Sequence, residues 1–169
     1  MLERYAAPPR HQPGSASEAF TELVLEIFRT NGRLLATGDR LAMPVGLTSA
    51  RWQVLGAIDA GPLSVAQIAR DMGLTRQSVQ RLANVLAAEG IVSFAENPAH
   101  KRAKLVQLTP RGRAMLDRIS CIQVDWARQT TDGLTPEELQ SASATLRSIR
   151  QRLEQAAAAG AETDECEES

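Results

Sequence analysis

Two helix signals abut in the middle of this 169-residue chain with one residue between them, and that spacing restricts the fold more than any other feature. Ser64 opens a short helix, with Gln67 three positions on as the second half of a capping box. Ile68, Ala69 and Met72 fall on one face, and Gly73 supplies the left-handed residue that ends the helix. Leu74 alone separates that glycine from Thr75, the N-cap of the next helix, whose inner face is Val79, Leu82, Ala83 and Leu86 and which stops at Gly90. Helices joined by so short a turn must cross at a steep angle and pack their apolar faces together. Past Gly90 the period shortens. Residues 91–95 and 105–109 are β-prone runs flanking Glu96 to Lys104, where Asn97-Pro98 marks a turn, so a hairpin with a basic tip is expected.

The flanks are helical. Residues 1–16, with Pro8, Pro9 and Pro13, are expected to form a flexible arm. Ser15 and Glu18 then announce a helix with a stripe of Phe20, Leu23, Val24, Ile27, Phe28, Leu34, Leu35 and Leu41, ended by Pro44 and Gly46. Thr48 caps a second helix carrying Trp52, Leu55 and Ile58, stopped by Gly61-Pro62. After the hairpin, Thr109-Pro110 starts a helix with Met115, Ile119, Ile122 and Trp126 on one stripe. Thr135-Pro136 starts another, in which Leu139, Ala142, Leu146, Ile149, Leu153 and Ala156 alternate three- and four-residue steps. Such a seam requires a partner. The acidic residues 159–169 are expected to be a disordered tail. The expected organisation is therefore an arm (1–16), a first dimerisation helix (17–46), a central module (47–109), C-terminal dimerisation helices (110–158) and the tail. The fold class is mainly α with a small β-hairpin wing: a winged helix-turn-helix with flanking dimerisation helices.

Aromatic residues are only 4% of the chain, so the core must be built from aliphatic residues, which favours helices over a sandwich. The net charge of −1 conceals a segregation. Residues 64–113 hold eight cations and three anions, residues 1–63 balance, and residues 114–169 are acidic by six charges. A basic centre between neutral and acidic flanks suits a localised phosphate-binding surface. No apolar run approaches a bilayer span and the N-terminus lacks a signal-peptide core, so the expected location is the cytoplasm. Cys121 and Cys166 make neither a disulfide framework nor a metal spacing, and His11 and His100 have no cysteine nearby, so no metal or other cofactor is expected. No nucleophile elbow, P-loop or HExxH is present, and the chain does not read as an enzyme.

The central module reads as a reader of double-stranded DNA. The major groove admits one α-helix, and the preceding short helix braces it. The helix from Thr75 turns Arg76, Gln77, Ser78, Gln80 and Arg81 outward, side chains that can address base edges and phosphates. Ser64 and Thr75 place helix N-termini, with free N–H groups, where phosphates can lie, and are read as caps and phosphate contacts. At the wing tip Lys101, Arg102 and Lys104 supply cations for the adjacent minor groove, with Arg102 as the inserted residue. One such module reads a half-site, and useful affinity needs two, about a helical turn apart on a pseudo-palindromic operator. The competing class is a winged-helix protein-interaction module without DNA readout. The polar, cationic face from Arg76 to Arg81 argues against it.

The stretches Ser64–Arg70, Arg76–Leu82, Leu86–Val92 and Asn97–Gly112 together resemble the MarR family of transcriptional regulators, and the similarity spans about residues 18–157. The resemblance implies a triangular homodimer in which the first helix and the last two helices of each subunit interlock and the wings flank two half-sites. It also implies repression relieved by a small aromatic or phenolic effector, held between the dimer helices and the winged module. Phe28, Arg40, Arg51 and Trp52 are the candidates for that pocket. One departure is His100, which stands where the family often has an acidic residue that can hold the wing arginine.

Overall fold

The computed structural model describes residues 14–100 and 102–167. The helices are α1 (Ala16–Ala42), α2 (Ser49–Ala57), α3 (Val65–Met72), α4 (Arg76–Ala88), α5 (Pro110–Thr130) and α6 (Pro136–Glu167). A short 3-10 turn, Met43–Val45, follows α1. The strands are β1 (Leu63–Ser64), β2 (Val92–Ala95) and β3 (Leu105–Leu108), antiparallel in the order β1-β3-β2. The chain divides within α5 into two compact units, Met1–Gln123 and Val124–Ser169.

In the first unit each helix starts where a side chain satisfies its orphan amides. The hydroxyl oxygens of Ser15, Thr48, Ser64 and Thr75 accept from the backbone N–H groups of Glu18, Arg51, Gln67 and Ser78 respectively. Ser64 and Gln67 complete the reciprocal box. Glu18 instead returns its carboxylate to the amide of Gly14 (2.6 Å), one residue upstream of the cap. Asp39, near the end of α1, accepts from Ser49 N (2.6 Å), placing a carboxylate on the positive end of α2. Gly73 has φ +63°, a conformation that favours glycine, and the amides of Gly73 and Leu74 close back onto Ala69.

The sheet is one strand larger than the sequence suggests. β1 is two residues long, pairing Leu63 with Val106 and Ser64 with Leu105, while β2 pairs from Val92–Leu108 to Ala95–Leu105. β3 is thus central. The core beneath it is aliphatic: Val54, Leu55 and Ile58 from α2 and its end, Ile68 and Ala69 from α3, Val79, Ala83 and Leu86 from α4, then Ile91, Val92, Val106, Leu116 and Ile119. Trp52 and Phe94 pack against it half-buried. The C-terminal end of α1 joins this core through Ala42, whereas further toward its N-terminus Phe20, Leu25, Phe28, Leu34 and Leu35 stay exposed.

The second unit holds the end of α5 and α6. Thr135 caps α6 through its hydroxyl (Glu138 N, 3.2 Å), and the Glu138 carboxylate accepts from Thr135 N (2.8 Å). Leu139, Leu146 and Leu153 of the α6 seam are exposed and Ile149 is half-buried. α6 runs to Glu167, into the stretch 159–169 expected as a tail, and its alanine-rich segment has high helix propensity. Of the expected arm 1–16, Ser15 caps α1 and Ala16 opens it, and residues 1–13 lie outside the described residues.

Candidate nucleic-acid interface

α4 is amphipathic by construction. Val79, Ala83 and Leu86 face the core, which turns Arg76, Gln77, Gln80 and Asn84 to the opposite side at helical spacing. Opposite them rises the hairpin between β2 and β3. Its tip is tightened by Asn97, whose side-chain oxygen accepts from Ala99 N (3.0 Å), and by backbone bonds from His100 N to Asn97 O and from Ala103 N to His100 O.

Between helix and hairpin lies an open groove of about 700 Å³. Six sequence-predicted residues line it: Ser64, Arg76, Gln77, Gln80, Arg102 and Lys104. Thr75, Ser78 and Arg81 are exposed on the same helix or its cap but stand outside the groove. Lys101 lies outside the described residues. Five further residues line it that the sequence did not mark, Val65, Ala66, Asn84, Phe94 and Ala103, and of these Asn84 and Phe94 bring chemistry of their own. Asn84 is one turn beyond Gln80 and accepts a bond from its amide (Nε2 to Oδ1, 2.9 Å), so extending the polar spacing by four would have found it. Phe94, on β2, adds an aromatic ring to the wall, and nothing in its β-prone run distinguishes it from a core residue.

The charges in this region divide into two kinds. Arg76, Arg81, Arg102 and Lys104 make no ion pair among the described residues, so their charge is available to an anionic partner. Arg51 and Arg113 are paired, with Glu89 and Asp59. The caps are also less free than their sequence positions suggest. Ser64 donates its hydroxyl proton to Gln67 Oε1 (2.7 Å), and Thr75 donates to Ser78 Oγ (2.8 Å). Each oxygen also accepts a backbone N–H, so what these two residues offer a phosphate is the helix N-terminus they organise.

The four residues named for an effector do not share a common setting. Phe28 is 69% exposed on α1 and Arg40 donates to Thr37 Oγ1 (3.0 Å) on the same helix. Trp52 leans on the core. Arg51 is taken up bidentately by Glu89 (3.1 and 2.8 Å), which its sequence position gave no sign of. Among the described residues no helix is long and apolar enough to cross a membrane.

A braced helix with a polar, unpaired-cation face beside a basic hairpin defines a winged helix-turn-helix protein. Known proteins agree. A family model described as the MarR family matches residues 45–103. An uncharacterised protein of Mycobacterium tuberculosis is 36% identical over 131 residues, covering 78% of this chain and 92% of its own. Among solved structures, CouR from Rhodococcus jostii bound to p-coumaroyl-CoA superposes with a TM-score of 0.69 at 22% identity, over 76% of this chain and 91% of that one. A mutant MarR from E. coli, complexed with operator DNA, gives 0.67 at 22% identity, over 80% and 99%. The chain belongs to the MarR family and is a transcriptional regulator.

Proposed function

We propose that two copies of this chain bind a pseudo-palindromic operator in double-stranded DNA, with α4 of each in successive major grooves and the hairpin tips beside them. The groove between α4 and the hairpin carries this reading: it gathers Arg76, Gln77, Gln80, Asn84, Arg102 and Lys104 on one surface with no carboxylate among its lining residues. Arg76 and Gln77, at the N-terminal end of α4, read base edges; Lys104 and the helix N-termini at Ser64 and Thr75 position the phosphates; Arg102 reaches the minor groove. Ser78, Arg81 and Lys101 extend the phosphate-facing surface. The operator-bound MarR structure supports the mode of docking at the level of the fold.

The homodimer follows from the apolar stripes left exposed on α1 and α6, each of which needs a cover, and a second copy provides both at once. The protein acts by occupancy in the cytoplasm, without catalysis, and represses until a small aromatic or phenolic molecule releases it. The p-coumaroyl-CoA complex of CouR supports an aromatic effector class. Phe28, Arg40 and Trp52 remain its candidate contacts, and Arg51 joins them only by giving up Glu89.

The test is selection of bound duplexes from a random-sequence pool, followed by gel-shift titration. Arg76→Ala or Gln77→Ala should relax the preferred sequence at one position per half-site, a loss of about 1–3 kcal/mol there. Unchanged preference in both variants overturns the assignment of α4 as the reader.

A further inference from the structure

The DNA-facing and anchored ends of α4 are opposite ends of one lever. α4 has 13 residues, so its N-terminal readers stand roughly 20 Å from its C-terminal end. That C-terminal end is held from two sides. From α2, Arg51 grips the Glu89 carboxylate with both guanidinium nitrogens (3.1 and 2.8 Å), a geometry that fixes direction as well as distance. From the first turn of α5, Arg111 donates to the Glu89 carbonyl (2.7 Å), where a cation also meets the negative end of the α4 dipole. The Thr109 hydroxyl reaches the carbonyls of Gly90 and Ile91 (2.8 and 2.9 Å). Two residues along α5, Arg113 binds the Asp59 carboxylate and carbonyl beyond the end of α2. The start of α5 therefore ties the ends of both α2 and α4.

We infer that the Arg51–Glu89 pair, backed by Arg111, is a positioning device that sets the tilt of α4 and hence its choice of sequence, without touching DNA. The inference rests on α4 being the reading helix. Glu89 caps the last turn, so the pair acts at the pivot. A rotation of about 5° there moves the far end of a roughly 20 Å helix by about 1.7 Å. Base-edge hydrogen bonds tolerate only a few tenths of an ångström before they weaken steeply. Phosphate attraction is far less sensitive to such a shift, because it falls slowly with distance. Loosening the pivot should thus cost sequence discrimination more than general affinity.

The experiment uses full-length protein and two duplexes of equal length, one selected from a random pool with the wild-type chain and one scrambled. Arg51→Gln, Glu89→Gln and the double variant are titrated on both, alongside thermal unfolding. The expected result is a loss of about tenfold or more on the selected duplex, less than about twofold on the scrambled one, and a double variant no worse than either single change, as coupled partners require. Because the double variant leaves no orphan charge, it covers the case in which a single variant folds poorly. Wild-type discrimination retained in all three variants overturns the positioning role, as does a parallel loss on both duplexes that tracks a fall in Tm. A wild-type chain that fails to discriminate the two duplexes removes the DNA-reading assignment itself, and this inference with it.

Discussion

Replacing Gly112 by alanine should destabilise the protein by about 3 kcal/mol, although helix propensity alone favours the change by about 1 kcal/mol. Gly112 is the third residue of α5, and its amide donates to the Thr109 hydroxyl (3.1 Å). A β-carbon there would fall on the carbonyl oxygen of Ile91, 3.1 Å from its carbon and 3.2 Å from Leu108 Cδ2. The obstacle is backbone, and it is pinned: the same carbonyl accepts from Thr109 N (3.1 Å) and Thr109 Oγ1 (2.9 Å). Relief requires the segment after α4 to move away from α5. Overpacking of this kind costs about 1–3 kcal/mol, and each hydrogen bond lost adds about 1 kcal/mol. Against these stands the propensity gain, which leaves a net loss near the figure given. Urea unfolding at fixed protein concentration measures it, since a dimer's midpoint depends on concentration. A variant as stable as the parent, or more so, would show that α5 does not abut Ile91 and would refute the packing on which α4 is anchored.

Three further outcomes follow from other parts of the molecule. Lys104→Ala should weaken binding to all duplexes alike and reduce the slope of log affinity against log salt by about two, one for each copy on the duplex, read by fluorescence anisotropy. The paired change Leu146→Arg and Ile149→Arg puts two charges on the exposed α6 seam and should abolish both dimerisation and operator binding; intact dimers by light scattering would contradict it. The hydrogen bonds from Thr135, backbone amide first and then side chain, hold the Glu138 carboxyl below its ordinary range. A depressed folded-state value means stability present above the unfolded pKa and lost as pH falls through the folded one. The protection of amides in the first turn of α6, taken relative to the intrinsic exchange rate at each pH, should therefore fall on acidification below the usual glutamate range, and Glu138→Gln should remove that acid dependence.

Much of this architecture is legible in the sequence because helix starts are local events. Ser15, Thr48, Ser64, Thr75 and Thr135 all cap the helices their positions announce, and Gly73 takes the left-handed turn. The outward face of α4 follows from the same periodicity that buries Val79, Ala83 and Leu86. What is hidden is non-local. β1 has two residues and no alternation to display, and it exists because β3, some 40 residues on, offers a free edge. Arg51 resembles an open ligand contact until Glu89, 38 residues away, closes on it. The committed hydroxyls of Ser64 and Thr75 escape notice because a cap residue's second bond depends on side-chain rotamers, not on spacing.

The most direct measurement is the affinity of the purified full-length protein for its selected duplex across a salt series, with the stoichiometry determined in the same titration. Two chains per duplex are predicted, with an affinity that falls steeply and linearly on a log–log plot as Arg76, Arg102, Lys104 and their counterparts in the second copy displace counterions. Binding by a single chain, or an affinity indifferent to salt, would contradict the proposal that α4 and the hairpin form a DNA-reading surface.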